Sequence, residues 1–334
     1  MDSSIIALVA NFMMLGGLSA YAVFNVFDDD DKDEETTETP LSEEPDNEAT
    51  IDTLLTALNP TDGSAPADED FEPDLLDETA YQPQIAGTIG DDALAGAEAD
   101  AARLSFAAGA GDDLVTGSDG ADYAEGGSGD DTLRLEDGED IALGGAGDDV
   151  LSAMAGSDVL FGGGGGDVLA SGMGDDALFG GAGDDNLSGG ADNDVLFGGS
   201  GADTLFGGDG FAGDDVKTRE DTLSGGSGED RIFVGGRDVA IGGADADQFV
   251  LDETIPDHGR ATISDYGAGD EIEIRYRTDD VSDDAPPPDV TIRNFDAEDP
   301  TAGVQVFING ERFALVQGDR AVEEADLRLV AVEG

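Results

Sequence analysis

The chain has no cysteine, no tryptophan and one histidine, and only 14 of its 334 residues are Lys or Arg. Without cysteine there is neither a disulfide nor a thiolate metal site. A lone histidine, His258, excludes sites that need two, such as the HExxH zinc proteases, and argues against a Ser/His/Asp hydrolase. There is no G-x-S-x-G motif either. The few bases face 79 Asp plus Glu, for a formal net charge of −65. Such a charge repels phosphate backbones, so a nucleic-acid partner is excluded, and an anionic membrane surface is disfavoured. A chain this acidic, with 51 glycines, either stays disordered or holds multivalent cations.

Long apolar runs are also scarce, with one exception. Residues 1–27 form a hydrophobic N-terminal segment in which Ile5–Phe27 is free of charge. As a helix it would measure about 34 Å, enough to cross a bilayer core. The reading is a membrane anchor. A cleaved signal peptide competes, because Ala20-Tyr21-Ala22 has the form of a cleavage box. Residues 28–86 read as an acidic disordered linker, opening Asp28-Asp29-Asp30-Asp31-Lys32, with too little apolar surface to offset its ordering entropy. Within it Ile51, Leu54, Leu55 and Leu58 have the spacing of one short amphipathic helix, either transient or a docking motif.

Residues 87–250 are a repeat with a period of nine. Clean units are 126–134 (GGSGDDTLR), 144–152 (GGAGDDVLS) and 180–188 (GGAGDDNLS), and phase is held over eleven consecutive units from 108 to 206. The unit starting at Gly207 carries nine extra residues, Phe211 to Arg219, and unit 234–241 is one residue short. The unit reads G-G-x-G-x-D-x-U-x, with U apolar. Its first six residues are turn chemistry and its last three a minimal strand whose U side chain points inward. Two turns and two strands make an eighteen-residue coil. Units two apart then stack in the same sheet, which predicts an all-β parallel solenoid with an inward apolar ladder such as Leu133, Leu151, Leu169 and Leu187.

Position six is Asp nearly throughout: Asp92, Asp113, Asp122, Asp131, Asp140, Asp149, Asp158, Asp167, Asp176, Asp185, Asp194, Asp203, Asp221, Asp230 and Asp247. Stacking sets these carboxylates in two columns at about the strand spacing of 4.8 Å, one along each edge. Like charges so close repel unless a cation lies between them. A hard divalent ion that accepts carboxylate and carbonyl oxygens meets this need. Calcium fits best, because magnesium demands tighter octahedral geometry and keeps its water. The apolar ladder is thin for so many ordered residues, so folding is expected to couple to binding of many Ca2+ ions.

These repeats resemble the RTX (repeats-in-toxin, haemolysin-type) calcium-binding repeat family. Asp176-x-Leu178-x4-Gly183-x-Asp185-x-Leu187-x-Gly189-Gly190-x3-Asp194 fits its longer signature. The resemblance implies a parallel β-roll with calcium between successive turns of one edge, held by the position-six aspartates above and by carbonyls of the glycine-rich turns. Three departures bear on this. Ala101 stands where Asp is expected, unit 234–241 is out of phase, and both are expected to lack a full site. Asp192 and Asp245 replace the position-four glycine, where Asp tolerates a left-handed backbone.

Residues 251–334 read as a C-terminal β-strand domain. Ala261–Ser264, Glu271–Arg277, Asp289–Phe295 and Gly303–Val316 alternate as strands do, and Asn309-Gly310 marks a hairpin. Phe161, Phe179 and Phe197 recur every eighteen residues and are expected to stack on the outer face of one sheet. Phe206 and Phe233 would lie on the other sheet. The outer ladder is either a strand-stabilising ring stack or an interaction strip. The functional expectation is a non-enzymatic, calcium-binding surface or secreted protein with a structural or interaction role, outside a bacterial cell. The alternatives are a calcium-storing or secretion-assisting module and an accessory part of a secreted enzyme.

Overall fold

The computed structural model describes residues 85–96, 104–208, 220–252, 261–278, 288–294, 303–318, 322–323 and 326–333. The N-terminal segment, the linker with Ile51–Leu58, Ala101, the Phe211–Arg219 insertion and His258 lie outside the described residues. Among the described residues no helix is long and apolar enough to cross a membrane.

The described chain is a parallel β-solenoid of about eight turns with no α-helix. Its strands alternate between two sheets. One has thirteen strands and the other eleven, and up to residue 278 neighbours within each sheet are alternate strands of the chain. The eleven-stranded sheet contains Leu114–Thr116 (β4), Thr132–Arg134 (β6), Val150–Ala155 (β8) and Val168–Met173 (β10). The register is in phase with the repeat: Leu133, Leu151, Leu169, Leu187 and Leu205 are successive partners. The opposite sheet aligns Leu160, Leu178, Leu196 and Leu223 in the same way. All of these side chains are buried. Two leucine ladders facing each other across the coil therefore form the core, and each buried leucine contributes roughly 1.5–3 kcal/mol.

The irregular units leave the ladders intact. Leu205 pairs with Ile232 and Leu196 with Leu223, so both registers pass over the nine-residue insertion. The short unit is absorbed likewise, with Leu223 opposite Ala240 and Ile232 opposite Phe249.

Residues beyond 250 add strands to the same two sheets. Ala261–Ile263 (β19) pairs in parallel with Val239–Ala244 (β17), and Glu271–Thr278 (β20) with Gln248–Asp252 (β18). The Asn309-Gly310 hairpin is present, with φ of 52° and 86° at its two central residues and antiparallel strands Val304–Ile308 (β22) and Glu311–Val316 (β23) on either side. Leu327–Glu333 (β24) has no counterpart among the sequence-derived strands. It pairs with β20 over seven residues.

The Phe161, Phe179 and Phe197 rings stack nearly parallel, with centroids 5.0 and 5.3 Å apart. They lie on the face of their sheet opposite the leucine ladder, as alternation requires, yet the rings are buried, at 4–7% exposure. Phe206 and Phe233 meet edge to face on the other sheet.

Candidate metal centre

Each column aspartate is pinned by backbone. The Asp149 Oδ1 accepts the Asp131 N–H at 2.7 Å, and the Asp167 Oδ1 accepts the Asp149 N–H at 2.8 Å. The main-chain carbonyls of the same residues accept strand N–H groups, Val150 on Asp131 and Val168 on Asp149. The pattern runs from Asp113 through Asp131, Asp149, Asp167, Asp185, Asp203 and Asp230 to Asp247 along one edge. Along the other it joins Asp122, Asp140, Asp158, Asp176, Asp194 and Asp221. The structure thus places the position-six aspartates in two columns, and Asp92 heads the first through its own N–H to Asp113 Oδ1 at 2.7 Å.

The second carboxylate oxygen is treated differently. In Asp113, Asp131, Asp140, Asp149, Asp158, Asp167, Asp176, Asp185, Asp194, Asp203, Asp230 and Asp247 the Oδ2 is buried with no hydrogen-bond partner. A buried polar atom without a partner costs about 1–3 kcal/mol, and more if charged. Twelve such atoms in register point to a ligand of a charge and kind that no protein group supplies. A methyl group built on Gly162 would fall on Asp167 Oδ2 and lie 2.7 Å from the carbonyl oxygen of Gly180, one coil on. The carboxylate of one coil and the carbonyl of the next thus face the same small space, and a glycine keeps it open. Hard oxygen donors of this kind suit Ca2+.

Burial raises the pKa values of the column. Desolvation pushes the Asp140 and Asp158 carboxyls up to about 8, Asp149 and Asp176 to about 7 and Asp194 to about 10, with neighbouring carboxylates adding to the rise. Asp131 and Asp167 move in the same direction for the same first reason. Left alone near neutral pH, much of the column would be protonated. A divalent ion would hold it ionised.

A second acidic row runs beside the first. The Asp112 Oδ1 accepts the Asp130 N–H at 3.0 Å and the Asp130 Oδ1 accepts the Asp148 N–H at 2.9 Å. These bonds run from the later coil to the earlier one, opposite in sense to those of the column. The two rows together staple each coil to both neighbours. Among the described residues no three Asp, Glu or His side chains converge on one point. Each coil and edge thus offers one column carboxylate and the backbone carbonyls of its turn.

The left-handed backbone expected at Asp192 and Asp245 is present, with φ of 77° and 83°. Two column members were not among the sequence-derived candidates. Asp238 stands 17 residues after Asp221 and accepts its N–H at 3.1 Å. Asp270 stands 23 residues after Asp247 and accepts its N–H at 3.1 Å. Both carry the D-x-U signal, in Asp238-Val239-Ala240 and Asp270-Glu271-Ile272, but neither sits in the nine-residue phase.

The fold and its aspartate columns define a class, the parallel β-solenoids whose glycine-rich turns carry one carboxylate per coil and edge. The particular family follows from comparison. Four copies of the RTX calcium-binding nonapeptide repeat match residues 107–142, 143–178, 179–211 and 218–249. The chain carries RTX calcium-binding repeats across residues 107–249. No curated protein matches the chain.

Proposed function

We propose that this protein binds a file of Ca2+ ions along each edge of the roll, through the position-six aspartates, and that ion binding is what folds it. The observation that carries the reading is the set of twelve buried, partnerless Oδ2 atoms in register. Each would gain a ligand, and the like-charge repulsion within a column would become attraction to shared ions. The same carboxylate environment recurs coil after coil, which suits many similar ion sites and not one reaction centre. The role is therefore structural or interactive, without catalysis. The Ile5–Phe27 segment, long enough as a helix to cross a bilayer core, supports a roll working outside the cell, tethered through an acidic linker.

The test is a calcium titration of the full chain followed by far-UV circular dichroism, with magnesium as control. A cooperative gain of β signal in calcium and not in magnesium is expected. The same β signal in chelator, unchanged by calcium, would remove the reading.

A further inference from the structure

Both aspartate columns end in a way that the twelve members with a partnerless Oδ2 do not. Asp92 begins the first column and Asp270 closes it. Asp122 begins the second and Asp238 closes it. In these four, and in none of the twelve partnerless ones, the Oδ2 accepts a backbone N–H from its own turn. The Asp92 Oδ2 takes the Thr88 N–H at 2.5 Å and the Thr88 hydroxyl at 2.8 Å. The Asp122 Oδ2 takes the Ser118 N–H at 2.7 Å and the Ser118 hydroxyl at 3.0 Å. The Asp238 Oδ2 takes the Gly235 N–H at 2.6 Å, and the Asp270 Oδ2 takes the Gly267 N–H at 2.7 Å.

The backbone explains the difference. In all twelve turns with a partnerless Oδ2, the residue four positions before the aspartate has positive φ. Ten of these residues are glycines, and the other two are Glu136 (φ 71°) and Met154 (φ 86°). At the four ends the residues in that place, Thr88, Ser118, Val234 and Tyr266, are not in that region, nor are the donors Gly235 and Gly267, which stand three positions before their aspartates. A peptide unit presents its C=O on one side and its N–H on the other. Turning it over exchanges a ligand for a cation against a donor for a carboxylate.

We propose that Asp92, Asp122, Asp238 and Asp270 are end-stops and not cation ligands. At each, a peptide N–H takes the carboxylate oxygen that elsewhere faces an ion, so each file of ions is closed at both ends by the protein itself. The physical need is plain. An end coil has a further aspartate of its column on one side only, so an ion there would lack the carboxylate of one neighbour. The backbone donor satisfies the buried carboxylate without one. Ser and Thr suit the stop because the side-chain hydroxyl adds a second bond to the same oxygen. The assignment rests on the calcium reading above and narrows it, since Asp92 and Asp122 leave the set of candidate ligands.

Calcium equivalents bound per full chain, measured by equilibrium dialysis, test it, with far-UV circular dichroism in saturating calcium to verify that each variant keeps its β content. Asp122→Asn and Asp238→Asn should bind the wild-type number, and Asp149→Asn should bind at least one fewer. Ser118→Gly frees its backbone for positive φ and should bind one more. A folded Asp122→Asn or Asp238→Asn that loses an equivalent would overturn the assignment. Where those variants do not fold, Ser118→Gly decides: an added equivalent supports the stop, and an unchanged number overturns it. A folded Asp149→Asn with the full wild-type number fails differently. It would overturn the Oδ2 reading of the whole column, and the end-stops with it.

Discussion

Position two of the repeat concentrates the local constraint. Gly145 has φ of 116°, and a Cβ there would fall on the carbonyl oxygen of Gly127 in the preceding coil. Contact with backbone cannot be relieved by a rotamer change. Gly145→Ala should cost on the order of 1–3 kcal/mol, read as a shift of the calcium midpoint for folding to higher concentration. Glu136 and Met154 show that a side chain is tolerated at this position where φ is smaller, at 71° and 86°. The constraint is thus one of conformation and inter-coil distance together. An unchanged midpoint in Gly145→Ala would mean that the coils can separate enough to admit a methyl group.

At the scale of the element, a column behaves as a unit because each carboxylate is held by the N–H of the aspartate before it. The raised pKa values give it a pH dependence with a definite sign. A carboxyl raised from its ordinary 3.8 to about 7 or 8, as in Asp149 and Asp140, binds its proton more tightly folded than unfolded. Without metal, that stabilises the roll fully below pH about 4 and is lost as pH rises through about 6 to 8. Asp194, pushed up to about 10, would keep its proton longest. In calcium-free buffer the chain should therefore show β signal in acid and lose it towards neutral pH, while added calcium restores it at pH 7.5. A circular dichroism series across pH checks this. Metal-free β content that rises with pH would contradict the linkage.

The whole molecule shows two ways of meeting its negative charge. Of the 14 bases, nine lie from Arg231 onward, in the last repeats and beyond them. There the buried Glu273 is held by Arg275 at 2.9 Å and Arg231 at 3.4 Å, and both guanidiniums sit about 5 Å from the Phe233 ring. Fixed cations take the place at one end that Ca2+ would take along the roll. The ladder also predicts tolerance. Both registers pass over residues 211–219, and removing them would leave Gly207-Gly208-Asp209-Gly210-Glu220-Asp221-Thr222-Leu223-Ser224, a regular nonamer. The deletion variant should keep the wild-type calcium midpoint and melting temperature within a few degrees. A fall of ten degrees or more would show that the insertion contributes packing of its own.

The period of nine, with Asp at position six and an apolar residue at position eight, by itself determined the eighteen-residue coil, the two leucine ladders and the two aspartate columns. These follow from local geometry, because turn and strand residues recur at fixed spacing along the chain. The same reasoning set the αL turns at Asp192 and Asp245 and the hairpin at Asn309-Gly310. Only the tertiary structure decided the rest. Asp238 and Asp270 join the columns despite being out of phase, because a coil can shorten or lengthen as long as its strands keep register. Leu327–Glu333 becomes a strand because Glu271–Thr278 offers it an open edge. Asp92 and Asp122 look like any other position-six residue in sequence, yet their second oxygens are already bonded. The reason is physical: spacing is fixed along the chain, but whether a buried oxygen is satisfied depends on how one peptide unit is turned and on what the neighbouring coil presents to it.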